Sequence, residues 1–221
     1  MHACFFNAAM PTSTPMSTPP IHPPAAATIE LLPAAASPRP LFVLLHDAGG
    51  TALDMLALGS RLGEAFAESA VLIPEGLTGQ ADELAQRVQA LADFLRAQQQ
   101  RFGVLQSDTA LVGFGAGATL ALALSDAHDG LAGRVLAFGG CYAVWPAKAP
   151  ALTTLHLLHG HNDPVVPAAR VRQDFAHLME LGADATLDVA SRLGHELHPA
   201  LMDQAVMRLQ TCVPLRFWKS L

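Results

Sequence analysis

Charge is scarce in this chain, and basic charge scarcest: 14% of the 221 residues are charged, with 13 Lys and Arg against 19 Asp and Glu, for a net charge of −6. Proteins that hold a phosphate backbone do so through a basic patch or stripe, so nucleic acid is not an expected partner. Cysteine is rare as well. Cys4, Cys141 and Cys212 are odd in number, far apart and without a C-x-x-C pair. This argues against a disulfide framework and for free thiols in a reducing compartment, the cytoplasm. No apolar run reaches the roughly 18 to 20 residues that a membrane-spanning helix needs. The opening "MHACFFNAAM" lacks the basic leading segment of a signal peptide, and its apolar run is too short for one.

What is present is unevenly spread. Nine of the 16 prolines fall in the first forty residues, interleaved with Ala, Thr and Ser, a composition that can form neither helix nor central strand. Residues 1–27 are therefore expected to be a disordered extension, and 28–221 a single domain of ordinary size.

From Leu41 onward, short apolar runs alternate with amphipathic segments. Strands are expected at Leu41–Leu45, Ala70–Pro74, Thr109–Phe114, Arg134–Phe138, Thr154–Gly160 and Ala185–Ala190, mostly buried on both faces, with an edge strand at Thr28–Leu32. Helical patterns cover Ala52–Glu68, Ala81–Arg101, Gly117–Ala127, Ala168–Leu181 and Pro199–Thr211; in the second, Leu84, Val88, Leu91 and Leu95 form one apolar stripe. Such alternation means an α/β fold, a mostly parallel central sheet with helices on both faces. Ligands on such sheets bind at the carboxyl ends of the strands, which selects the loops "HDAGG", "PEG", "GFGAGA", "GGCYA", "HGHNDP" and "GHELHP".

The stretch Leu111–Leu120, "LVGFGAGATL", admits two readings. Gly113, Gly115 and Ala118 satisfy a dinucleotide-binding fingerprint, G-x-G-x-x-A. That site also needs an acidic residue at the end of the next strand, and the next strand here ends "LAFGG". A nucleotide-binding protein is thus the distant alternative. The other reading is a nucleophile elbow, a sharp strand-to-helix turn with Gly115 where the attacking serine belongs. Its partners should follow in the order acid, then histidine, each after a later strand. Asp163 in "HGHNDPVVP" and His195 in "GHELHP" stand in those places. The competing roles are a turn aspartate ahead of Pro164 and, for the base, His198. His156 and His159 fall on opposite faces of their strand, so with His161 they make no shared metal site. Cys141 is a small residue beside the elbow rather than a substitute nucleophile.

Taken together, "HDAGG", "GFGAGA", "HGHNDPVVP", "GHELHP" and the closing "TCVPLRFWKSL" resemble the carboxylesterase/phospholipase family of α/β-hydrolases, close to its acyl-protein thioesterase and dienelactone hydrolase groups and to a small bacterial esterase branch. The resemblance covers about residues 41 to 221. It implies an α/β-hydrolase fold, Asp163 and His195 as catalytic acid and base, and Ala48 and Ala116 as the residues whose backbone N–H groups form the oxyanion hole. It also implies carboxylic ester or thioester substrates, with no cofactor and no metal.

Three departures from the family pattern bear on activity. Gly115 replaces the elbow serine, Asp47 replaces the first glycine of H-G-x-G, and the loop after "VLIPEG" shrinks to "LTGQ". Loss of a triad serine typically removes about six orders of magnitude of rate. Little serine-esterase activity is therefore expected. A pseudoenzyme that binds a small ester or acyl ligand, or slow hydrolysis by water activated at His195, would remain. Asp47 either faces solvent and caps the helix that follows, or points at the oxyanion hole and opposes acyl transfer.

Overall fold

The computed structural model describes residues 27–34, 37–77 and 83–214. The expected extension and the closing "LRFWKSL" lie outside them, apart from Ala27, as does most of the short "LTGQ" loop.

Seven strands form one sheet: β1 (Thr28–Leu31), β2 (Leu41–Leu45), β3 (Ala70–Pro74), β4 (Thr109–Phe114), β5 (Arg134–Phe138), β6 (Thr154–Gly160) and β7 (Ala185–Ala190). Their order across the sheet is β1-β3-β2-β4-β5-β6-β7, with β1 antiparallel to β3 and every other pair parallel. Parallel neighbours need crossovers; α1 (Leu56–Ala65), α2 (Leu84–Phe102), α3 (Ala116–Ala127) and α4 (Ala168–Glu180) each lie on one, the β5–β6 connection has no helix, and α5 (Pro199–Thr211) follows β7.

Because strand side chains alternate between faces, β2 feeds two cores. Leu41, Val43 and Leu45 pack with residues of α2, α3 and α4, whereas Phe42 and Leu44 pack with residues of α1 and α5. The strand interiors are fully buried in β2, β3 and β6. β7 is half-buried throughout, since as the outer strand it has only one strand neighbour; burial on both faces, expected from its composition, is lost at the edge. The helix expected from Ala52 opens instead as a 3-10 turn, Ala52–Met55, before α1 begins. There the Asp54 carboxylate accepts the Thr51 N–H at 2.7 Å and so satisfies a backbone donor at the turn's entry. Strands β2, β4, β6 and β7 run in the same direction, so the loops after them lie along one edge of the sheet, and those loops carry the site.

Candidate active site

The turn between β4 and α3 is made at Gly115, with φ 54° and ψ −115°, a conformation that side chains rarely adopt and glycine adopts freely. Its neighbours are constrained by space. A Cβ on Gly113 would overlap the backbone of Gly117 and Ala118, and one on Gly117 the backbone carbonyl of Leu45. The glycines therefore let α3 start hard against β4 and β2, which aims the helix N-terminus at the strand ends.

Asp163 follows β6 and is buried. Its Oδ1 accepts the N–H groups of Val165 and Val166 at 2.8 and 2.9 Å, the pattern of an aspartate-stabilised turn. Its Oδ2 lies 2.8 Å from His195 Nδ1. Turn aspartate and partner of the histidine are thus one residue using two oxygens. Burial disfavours its charge, but the Val166 N–H, the His195 ring and the Val165 N–H outweigh that and hold the carboxyl below the usual range. His195, in the loop after β7, is further fixed by Phe114, whose ring centroid is 4.6 Å away. Phe114 is the positioning contact that sequence patterning missed, because an apolar residue at the end of a strand looks like core. His198 does not share the site; it caps α5, its side chain accepting the Ala200 N–H at 3.1 Å.

Asp47 resolves the two possibilities left by its sequence. It points inward. Its Oδ1 accepts the Ala116 N–H at 2.6 Å, and its Oδ2 lies 3.3 Å from His195 Nε2. A Cβ built on Gly115 would overlap this carboxylate. The imidazole accordingly has Asp163 on one nitrogen and Asp47 on the other, and Asp47 occupies the space that a side chain at position 115 would need. The backbone behind it is held by His46, whose Nδ1 donates to the Asp47 carbonyl at 2.8 Å, and by the Gly50 N–H on the same oxygen at 3.1 Å. Ala48, expected as the second hole residue, is exposed in the adjoining turn.

Of the remaining described histidines only His159 adjoins the pair, its Nε2 3.6 Å from Asp163 Oδ2, and it is held by other contacts, as His156 is. His156 Nδ1 is 2.9 Å from Thr186 Oγ1, His159 Nε2 is 2.8 Å from the Val166 carbonyl, and His161 is exposed. Burial pushes the Cys141 thiol up, with the Asp174 charge adding to it against Arg170, which suits an inert thiol better than a nucleophile.

A family model described as phospholipase/carboxylesterase matches residues 34–213. The chain is 39% identical over 124 residues to the esterase YpfH of Escherichia coli K12, a match that takes in 56% of this chain and 53% of that protein, so the chain spans about half the length of that curated relative. Esterase PE8 shares the fold with a TM-score of 0.75 at 23% identity, over 86% of this chain and all of its own. The carboxylesterase of Bacillus cereus gives 0.72 at 19% identity, over 85% and 95%. The architecture is that of the α/β-hydrolases. No helix among the described residues is long and apolar enough to cross a membrane.

Proposed function

The chain belongs to the phospholipase/carboxylesterase family, and from that premise we propose that it carries the acid–base half of a carboxylic ester or thioester hydrolase, with Asp163 and His195 retained and Gly115 at the nucleophile's position. The observation that carries this reading is the 2.8 Å contact between His195 Nδ1 and Asp163 Oδ2 beside a strand-to-helix turn at Gly115. In an acyl-transfer site the aspartate fixes the tautomer and orientation of the imidazole, which then takes the proton of the attacking group and returns it to the leaving group. The backbone N–H groups of Ala116 and Ala48 would receive the oxyanion. Without a hydroxyl at 115 no acyl-enzyme forms by this route, and serine-type esterase activity is absent or very weak. The same missing hydroxyl favours, as a second reading, a pseudoenzyme that binds a small ester or acyl ligand without turning it over. Neither role calls for a cofactor.

Restoring the nucleophile tests the assignment, and the site's geometry dictates how. Gly115→Ser alone would set its side chain against the Asp47 carboxylate, so the informative protein is Asp47→Gly/Gly115→Ser. On short-chain nitrophenyl esters it is expected to exceed the natural chain by about 10² or more, a small part of what a triad serine usually contributes, with Gly115→Ser alone falling between them. No gain in the double variant would overturn Asp163 and His195 as a working acid–base pair. Retained binding of ester, measured by calorimetry, would then favour the pseudoenzyme.

A further inference from the structure

A carboxylate in the oxyanion hole is badly placed for hydrolysing an ester and well placed for a different displacement. We propose that Asp47 is itself the nucleophile of this site, and that its substrates carry a displaceable group on a saturated carbon, as primary alkyl halides do. The inference rests on His195 and Asp163 acting as base and acid, and replaces the acyl group by an alkyl group.

Asp47 Oδ1 takes the Ala116 N–H at 2.6 Å, so an incoming ester carbonyl finds that donor occupied and a negative charge beside it. Attack on a saturated carbon develops no oxyanion on the substrate and needs no hole. Asp47 Oδ2, the oxygen not held by the helix, meets His195 Nε2 at 3.3 Å, and the side chain is 31% exposed. Carboxylates are established nucleophiles at carbon. Gly115 is what makes the placement possible, since any side chain there would overlap the carboxylate. The two departures, glycine for serine at 115 and aspartate for glycine at 47, are therefore sterically matched.

The chemistry balances. A lone pair of Asp47 Oδ2 forms a bond to the saturated carbon as the carbon–halogen bond breaks and the halide leaves, giving an alkyl ester of Asp47. Alkylation removes the charge from Oδ2 and so releases His195 Nε2 from it; the imidazole, with Nδ1–H kept on Asp163 and Nε2 having given its proton to solvent, then takes a proton from water at Nε2, and the hydroxide adds to Asp47 Cγ. The oxyanion of that addition forms on Oδ1, the oxygen that already receives the Ala116 N–H at the N-terminus of α3. Collapse expels the alkoxide, which takes the proton from His195, and the carboxylic acid left on Asp47 loses its proton to solvent. Halide and water become alcohol, halide ion and one proton. The hole thus serves the enzyme's own ester instead of the substrate's.

The test removes the base and looks for the ester. His195→Gln, incubated with bromoethanol, bromobutane or bromooctane, is expected to accumulate one alkyl group on the peptide containing Asp47, whereas the natural chain releases bromide and in ¹⁸O-water acquires the label in the Asp47 carboxylate. Asp47→Asn should lose bromide release by about 10³-fold or more, as for other enzymes stripped of their nucleophile. Cysteine alkylation, common to all three proteins, serves as the internal control. If Asp47 in His195→Gln is alkylated no faster than the exposed carboxylate of Glu68, or if Asp47→Asn releases bromide like the natural chain, the proposal is overturned and Asp47 is a plug. That outcome is separable from failure of the acid–base assignment, because the double variant that tests the latter has no Asp47.

Discussion

Gly115 and Asp47 are 68 positions apart in the chain and share one small volume. A Cβ at 115 would have to hold φ near +54°, which costs on the order of 1 to 3 kcal/mol, and would also displace the Asp47 carboxylate from the Ala116 N–H. Removing Asp47 relieves the second penalty and leaves the first. Urea denaturation of Gly115→Ala, Asp47→Ala and the double variant should therefore reveal coupling: Gly115→Ala is expected to be less destabilising in the Asp47→Ala background by about 1 kcal/mol or more, in the range found for residues in contact. Additive effects would mean that the carboxylate moves aside freely. At this scale the sequence made the identities legible and the arrangement only partly. Asp163 and His195 could be placed because each follows a strand whose end is fixed by the sheet. The direction of Asp47 could not, because it depends on the space left by a glycine on another strand's turn.

The elements themselves were largely legible. Six strands run over the expected residues because each is a short apolar stretch bounded by polar or turn residues, a pattern that parallel strands produce. The differences lie where neighbours decide. α3 begins at Ala116, one residue before the expected Gly117, since the turn needs only Gly115 itself. α1 is shorter than its pattern, preceded by a 3-10 turn. Two glycines separate the demands of packing from those of helix formation. Gly113 in β4 faces the first turn of α3 so closely that a Cβ would overlap backbone; Gly113→Ala is expected to destabilise the fold by about 1 to 3 kcal/mol or more, as overpacking does. Gly63 in α1 has nothing within 4 Å of where its Cβ would be, and Gly63→Ala should stabilise by roughly 0.5 to 1 kcal/mol through helix propensity alone. Urea midpoints of the two variants would check both signs. Equal effects would refute the claim that α3 is locked against the sheet by its glycines.

Over the whole fold, acid acts on groups buried in the sheet. β6 lies inside the sheet and carries two buried imidazoles, His156 and His159, each with one ring nitrogen that has no hydrogen-bond partner among the described residues. Burial, followed by the charges of Arg134 and Arg208, pushes His156 down from 6.5 to about 4, against the opposing charges of Asp184 and Asp188. His159 is lowered too, first by burial, although the Val166 carbonyl and Asp163 oppose it. The unfolded chain consequently takes up protons first as the pH falls below 6.5, and stability drops until His156 protonates in the folded form near pH 4. For that residue alone the loss integrates to roughly 3 kcal/mol. Asp163 acts in a different window: its carboxyl is held below the ordinary value, so its contribution is complete above about pH 4 and is lost only as the pH falls further. Urea unfolding at a series of pH values should show the natural chain losing stability between pH 6.5 and 4, with His156→Gln losing about 3 kcal/mol less over that interval and matching it below. An identical decline in both proteins would show that His156 is not the group whose protonation opens the sheet.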